Sequence, residues 1–300
     1  MKHRDRGSIL LFTLFSLLVV SFLVYKTLRP YRQTVGDVQS IITRDRGISY
    51  LYSMENIVQT LLPRVDINIY RQINNINPGE PIVLTFPVPE GTLQASLFSN
   101  NTCFNITLPP KPMPQTVQKL ESQLKMLAQL TSQNKINDES IIQMLNPDSQ
   151  GDSLIDDKVP AWQMKNNSAT TAAAFEQLHP WICRRFQSGQ YIDVNAIDMQ
   201  TLPVLETLLP VTARGDRIMQ IYAKRKNAYW HSVDEFIQQL PKATVIPNSV
   251  RNMLGVSSQD FYLTFSYQTQ NASFSAVSWL HMNNGQLSVV KRRLIADNSL

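Results

Sequence analysis

Four histidines, His3, His179, His231 and His281, are the first residues to test for metal or proton chemistry. None has a second histidine one helical turn away, and none falls in the carboxylate spacing of a zinc site, so structural or surface roles are expected for all of them. Asp148, Asp152, Asp156 and Asp157 cluster just after Asn146. Oxygen ligands of this kind suit a hard cation, but the stretch lacks the full spacing and the closing glutamate of an EF-hand loop, and a solvated acidic loop is the plainer reading. Neither a Gly-x-Ser-x-Gly elbow nor a Walker loop occurs, so the chain reads as a non-enzyme. Cys103 and Cys183 have no metal-ligand spacing. In an oxidising compartment an even pair reads as a disulfide, with two buried free thiols as the alternative.

The compartment follows from the first thirty residues. From Ser8 to Tyr25 there is no charge, and at the helical rise that run spans roughly 27 Å, about one hydrocarbon core. Basic residues precede it in a short tail, which predicts a cytoplasmic N-terminus and a remaining chain outside the cytoplasm. A cleaved secretory signal fits poorly: the run is longer than an h-region, and Tyr25-Lys26-Thr27-Leu28-Arg29-Pro30 offers no small-x-small site. The small residue lies before the run, at Gly7. Arg6-Gly7 followed by Ser8-Ile9-Leu10-Leu11-Phe12 resembles the prepilin leader, in which a membrane peptidase cuts after the glycine and the new amine is methylated. Most pilins carry a glutamate at the fifth mature position; here that position is Phe12.

Beyond the anchor, Val35, Val38, Ile41, Ile42, Ile48, Leu51, Met54, Ile57, Val58, Leu61 and Leu62 recur at three- and four-residue steps. A single helix from about Ser8 to Leu62 is predicted, with Pro30 as a kink. Asn74-Asn75-Ile76-Asn77-Pro78-Gly79 is a loop, and Ile82–Val88 and Thr92–Phe98 read as a hairpin joined by Pro89-Glu90-Gly91. The prolines of 108–114 mark a boundary. Helical periods follow at Val117 to Leu130, Ile141 to Leu145, Ala169 to Leu178, Leu202 to Leu209, Ile218 to Tyr222 and after Ser232, whose Glu235 completes a capping box. Alternation returns at Phe261 to Ser266 and Phe274 to Trp279, and Asn284-Gly285 is the strongest hairpin signal in the chain.

Three hundred residues with 43% hydrophobic content suffice for two domains. The early and late strands are each too few for a stable sheet, so one sheet interrupted by a helical insertion is the economical topology. The predicted class is α+β: a pilin-like long N-terminal helix packed on an antiparallel sheet, with a large all-α domain inserted in the sheet region. The predicted segments are a leader at 1–7, a transmembrane helix at 8–29, the first part of the pilin-like domain at 30–104, the insertion at 105–257 and the C-terminal strands at 258–300. The formal charge of +5 falls to +3 without residues 1–7, which carry three cations and one acid, and is too weak to argue for nucleic acid.

Five patterns in order resemble the type II secretion system protein K family over essentially the full length. They are the glycine-ended leader, Cys103-Phe104-Asn105-Ile106, Asn146-Pro147-Asp148-Ser149, Asp193-Val194-Asn195-Ala196 with its spaced leucines, and Phe261-Tyr262-Leu263. The resemblance implies a minor pseudopilin of the bacterial inner membrane, with the bulk of the chain periplasmic. It implies a place at the tip of the short pseudopilus with two other minor pseudopilins, of the I and J types, in support of the export of folded proteins. It also implies processing by a prepilin peptidase between Gly7 and Ser8, and a calcium loop to which Asn146 and Asp148 would contribute.

Two other readings compete. Asp193 to Leu240 also resembles the helix-hairpin-helix modules of DNA-uptake proteins, which turn hairpin amides to phosphate. In Leu209-Pro210-Val211-Thr212-Ala213-Arg214-Gly215 there is one glycine, and Pro210 removes an amide, so a packing scaffold is expected and no nucleic-acid partner. A generic single-pass extracytoplasmic interaction domain is the other alternative; Asn100, Asn105, Asn166 and Asn271 begin N-x-Ser/Thr triplets compatible with it.

Overall fold

The structure is a computed structural model that describes residues 5–131, 136, 138–145, 177–179, 181–185, 187–225, 229–241, 244–270 and 272–295; side chains at 5–12, 27 and 29–33 are outside the description. Helix α1 runs from Asp5 to Leu61, 57 residues, and continues through Pro30. At the helical rise it is roughly 85 Å long. Its distal part buries Leu51, Met54 and Val58, which three- and four-residue steps place on one face. Gly47 lets the helix approach the sheet, since a Cβ there would meet the Phe274 ring at 2.4 Å. A 3-10 turn at Leu62–Arg64 and helix α2 at Ile67–Ile73 follow; Asp66 caps α2 by accepting from the Asn68 amide at 2.9 Å.

Strands β1 (Ile82–Val88) and β2 (Gly91–Ser99) form the expected hairpin, with a connection one residue shorter than predicted: Val88 pairs with Gly91, so Pro89-Glu90 is the loop. The sheet resumes near the C-terminus with β7 (Asp260–Thr269), β8 (Ser273–Asn283) and β9 (Gln286–Ile295), in the order β1-β2-β7-β8-β9 with every pairing antiparallel. Phe261, Leu263, Phe265 and Tyr267 point inward at period two, joined by Phe274, Ala276 and Leu280. Asn284 and Gly285 have φ of 49° and 75°, the two left-handed positions of a type I′ turn. Val290 is left over where Trp279 pairs with Lys291 and Leu280 with Val289, which makes it the extra residue of a bulge.

Between β2 and β7 lie α3 (Pro114–Leu130), α4 (Asp138–Leu145), α5 (Leu202–Leu208), α6 (Asp216–Arg225), α7 (Val233–Gln239) and α8 (Asn248–Arg251). Ser232 caps α7 by accepting from the Glu235 amide, while the Glu235 carboxylate accepts from the amide of His231 and not from that of Ser232. The expected helix from Ala169 to Leu178 falls outside the described residues except for its last turn. Sequence periodicity did not show two short parallel ladders in this unit: β3 (Phe104–Asn105) with β4 (Ile182–Cys183), and β5 (Ile192–Asp193) with β6 (Leu254–Gly255). Two residues per strand are too few to establish an alternation. The described residues form two apolar cores, one around Phe104, Leu124, Leu205 and Phe236, the other between α1 and the sheet.

Candidate functional site

One apolar face of the distal spine is used by the sheet, while Val35, Val38, Ile41, Ile42, Ile57 and Leu61 are exposed. Neighbouring exposed apolar side chains on one helix mark an interaction surface far better than isolated ones do. Leu51, Met54 and Val58 are the residues of the periodic face that the sheet covers.

The register of the spine on the sheet is fixed by a charge the sequence reading passed over. Glu55 is 2% exposed. It accepts from Ser278 Oγ at 2.5 Å and from Arg292 Nε at 2.6 and 2.7 Å, and the Arg292 guanidinium lies 4.8 Å above the Tyr52 ring. The available signal was its position, four residues after Leu51 and three before Val58, on the face that packs against the sheet.

Where the helical unit meets the sheet, the contact is a polar seam. Asn101 Oδ1 accepts from the amides of Gln259 and Asp260, both at 2.8 Å, and its Nδ2 donates to the Tyr191 carbonyl at 3.2 Å. Asn105 Oδ1 accepts from the Arg185 amide at 3.0 Å, and its Nδ2 donates to the carbonyls of Gln187 and Gly189. Arg185 donates to the carbonyls of Tyr191 and Cys103 at 2.6 and 2.7 Å. Asp193 accepts from Ser258 Oγ at 2.6 Å and from the Asn195 amide at 3.0 Å. Burial pushes its carboxyl above the usual range; these hydrogen bonds and the Arg71 guanidinium act against the shift, while burial lowers Arg71.

Asp260 and His281, cross-strand partners on β7 and β8, join through Oδ1 and Nδ1 at 2.7 Å. The other imidazole nitrogen faces the Gln187 amide nitrogen at 3.1 Å, so both ring nitrogens are engaged within the seam. Separation by 21 residues hid this pairing from a search for local spacing.

The predicted disulfide is present between Cys103 and Cys183, with Cα atoms 5.6 Å apart, and it flanks the β3–β4 ladder. Gly7 and Ser8 lie in α1, with side chains outside the description, and Asn146 and Asp148 lie outside the described residues. Among the described residues no group of three or more His, Cys, Asp or Glu side chains can hold a metal ion. Also among the described residues, no helix is long and apolar enough to cross a membrane; the first five side chains of the uncharged run, 8–12, fall outside that set. Asn100 and Asn105 are 6% and 1% exposed, which closes those two triplets to modification in the folded chain. In the hairpin after α5, the Gly215 amide donates to the Glu206 carboxylate at 2.7 Å. A side chain of the protein thus holds the amide that a helix-hairpin-helix would offer to phosphate.

No family model matches the chain. It is 22% identical to the type II secretion system protein K of Klebsiella pneumoniae, over 98% of this chain and 97% of that protein. Its fold is similar to a chain in the crystal structure of the GspK-GspI-GspJ complex from the type 2 secretion system of enterotoxigenic Escherichia coli. The TM-score is 0.56 at 18% identity, over 84% of this chain and 97% of the other. At that identity the structural likeness shows the fold: a long N-terminal helix and an antiparallel sheet combined with further helices.

Proposed function

We propose that this chain is a minor pseudopilin that works as a non-enzymatic assembly subunit at the tip of a type II secretion pseudopilus. The observation that carries this reading is the spine: a helix of 57 residues whose distal part closes its own sheet while Val38, Ile41 and Ile42 stay exposed for neighbours. Full-length likeness to a type II secretion protein K and to the fold of a subunit in a three-pseudopilin complex supports it. The partners are two other minor pseudopilins, of the I and J types, and the role is support of the export of folded proteins.

In this reading Ser8 to Tyr25 anchors the chain in the inner membrane, residues 1–7 are a leader removed by a prepilin peptidase, and the rest is periplasmic. Residues 30–104 and 258–300 form the pilin-like domain and 105–257 the insertion. Asn146 and Asp148 would contribute to a calcium loop. A helical unit of this size would collide with a subunit stacked above it, which favours the tip. The Glu206 bond to the hairpin amide favours a scaffold over a DNA-binding module.

Processing gives the direct test. Intact mass of the chain from membranes should correspond to a start at methylated Ser8, and Gly7→Val should retain residues 1–7. Normal maturation of that variant would refute the leader and, with it, the pseudopilin reading.

A further inference from the structure

Three observations meet at one point of the seam, beneath the β9 bulge. The first is an orphan donor: Trp279 is 6% exposed, and its indole N–H has no acceptor among the described residues. A buried indole N–H left unpaired is destabilising, so such a group calls for a partner. The second is a gap. Arg185 Nη1 and Asp260 Oδ2 are 4.0 Å apart, too far for a direct hydrogen bond and near enough for a shared bridging molecule. The third is space: Trp279, Arg185, Asp260, His281, Asn100 and Val290 line a cavity of about 10 Å³, counted as room for a water's centre. That is the size of a single-water site, and a water needs two to four polar partners to occupy one. Val290, the extra residue of the bulge, supplies an apolar wall.

We propose that this cavity is a binding site for one structural water, which accepts from Trp279 Nε1–H and donates to the Asp260 carboxylate. A metal cation is disfavoured there, because the indole N–H and the Arg185 guanidinium both present hydrogens. The water links the outer face of the sheet, where Phe98, Tyr262, Trp279 and Lys291 stand in one cross-strand row, to the segment after the disulfide that carries Arg185. It makes Trp279 a positioning residue for the helical unit.

The test uses the full-length chain in detergent with ¹⁵N-labelled indoles, the Trp279 resonance being assigned by its disappearance in Trp279→Phe. Paired NOE and ROE spectra should show a cross-peak between that indole proton and a long-lived water. An indole proton without such a cross-peak would overturn the proposal. Val290→Ile places an extra methyl in the wall and gives an independent readout. With a bound water, the variant should lose the cross-peak and melt about 2–4 °C lower, because the indole loses its partner. A dry cavity predicts the opposite sign, a higher melting temperature from filled space.

Discussion

In the helical unit Phe104, Ile106, Leu124, Leu127 and Phe236 are sealed on all sides by the unit's own elements, whereas the sheet's core is closed by a helix that keeps Val38, Ile41, Ile42 and Ile57 outside. The helical unit does expose apolar residues, but as scattered single side chains such as Met113, Ile142 and Val211, which need no explanation. The spine exposes a row. One region is closed by its own elements; the other leaves neighbouring apolar side chains exposed. The polar seam between them, with its disulfide and its asparagines, carries the closed unit on the open one without merging the two cores.

This contrast can be broken at several points. The largest effect is expected at the staple of the closed unit: replacing Cys103 and Cys183 together by serine releases a loop of 80 residues. In the chain-entropy model that costs about 4 kcal/mol. Urea unfolding should show the loss, and an unchanged midpoint would mean that the seam alone holds the unit. Next comes the pin of the open region. Glu55→Ala leaves Ser278 and Arg292 without their acceptor; because Arg292 is 40% exposed at its side chain, water can take part of that role, and a loss of about 2 kcal/mol is expected. A double-mutant cycle with Arg292→Met should return a coupling well above the 0.2–1 kcal/mol typical of exposed pairs. Gly285→Ala, at φ of 75°, should cost about 1 kcal/mol through the β8–β9 turn.

The smallest effect is a slope in pH at the seam. The folded carboxyl of Asp193 lies above its ordinary value of 3.8, so the folded state binds that proton more tightly than the unfolded one. Its contribution is full below 3.8 and is lost as pH rises through the raised value. Asp193→Asn should flatten stability against pH across that window, and parallel curves for the two proteins would contradict the assignment.

Much of this organisation was legible before folding. The long helix, the two hairpins, the interrupted sheet and the disulfide rest on period, turn chemistry and an even cysteine count, all of which are local or additive signals. Glu55, Asp193 and the Asp260–His281 pair were illegible because their meaning is made by strands and loops far away in the chain. The division of the spine's apolar face was hidden for the same reason: periodicity marks Leu51 and Ile41 alike, and only the sheet decides which of them is covered. The two parallel ladders are held by segments distant in the chain that the seam brings together, with no β-favouring run behind them.

The central claim is that the open row of the spine is an assembly surface for two other pilin-like subunits. Light scattering on the full-length chain mixed in detergent with I-type and J-type minor pseudopilins measures it most directly. The account predicts a species with one copy of each, lost when Val38 and Ile41 are both changed to aspartate while the melting temperature of the isolated chain is unchanged. A complex that survives that double substitution, or long homopolymers of this chain alone, would contradict it.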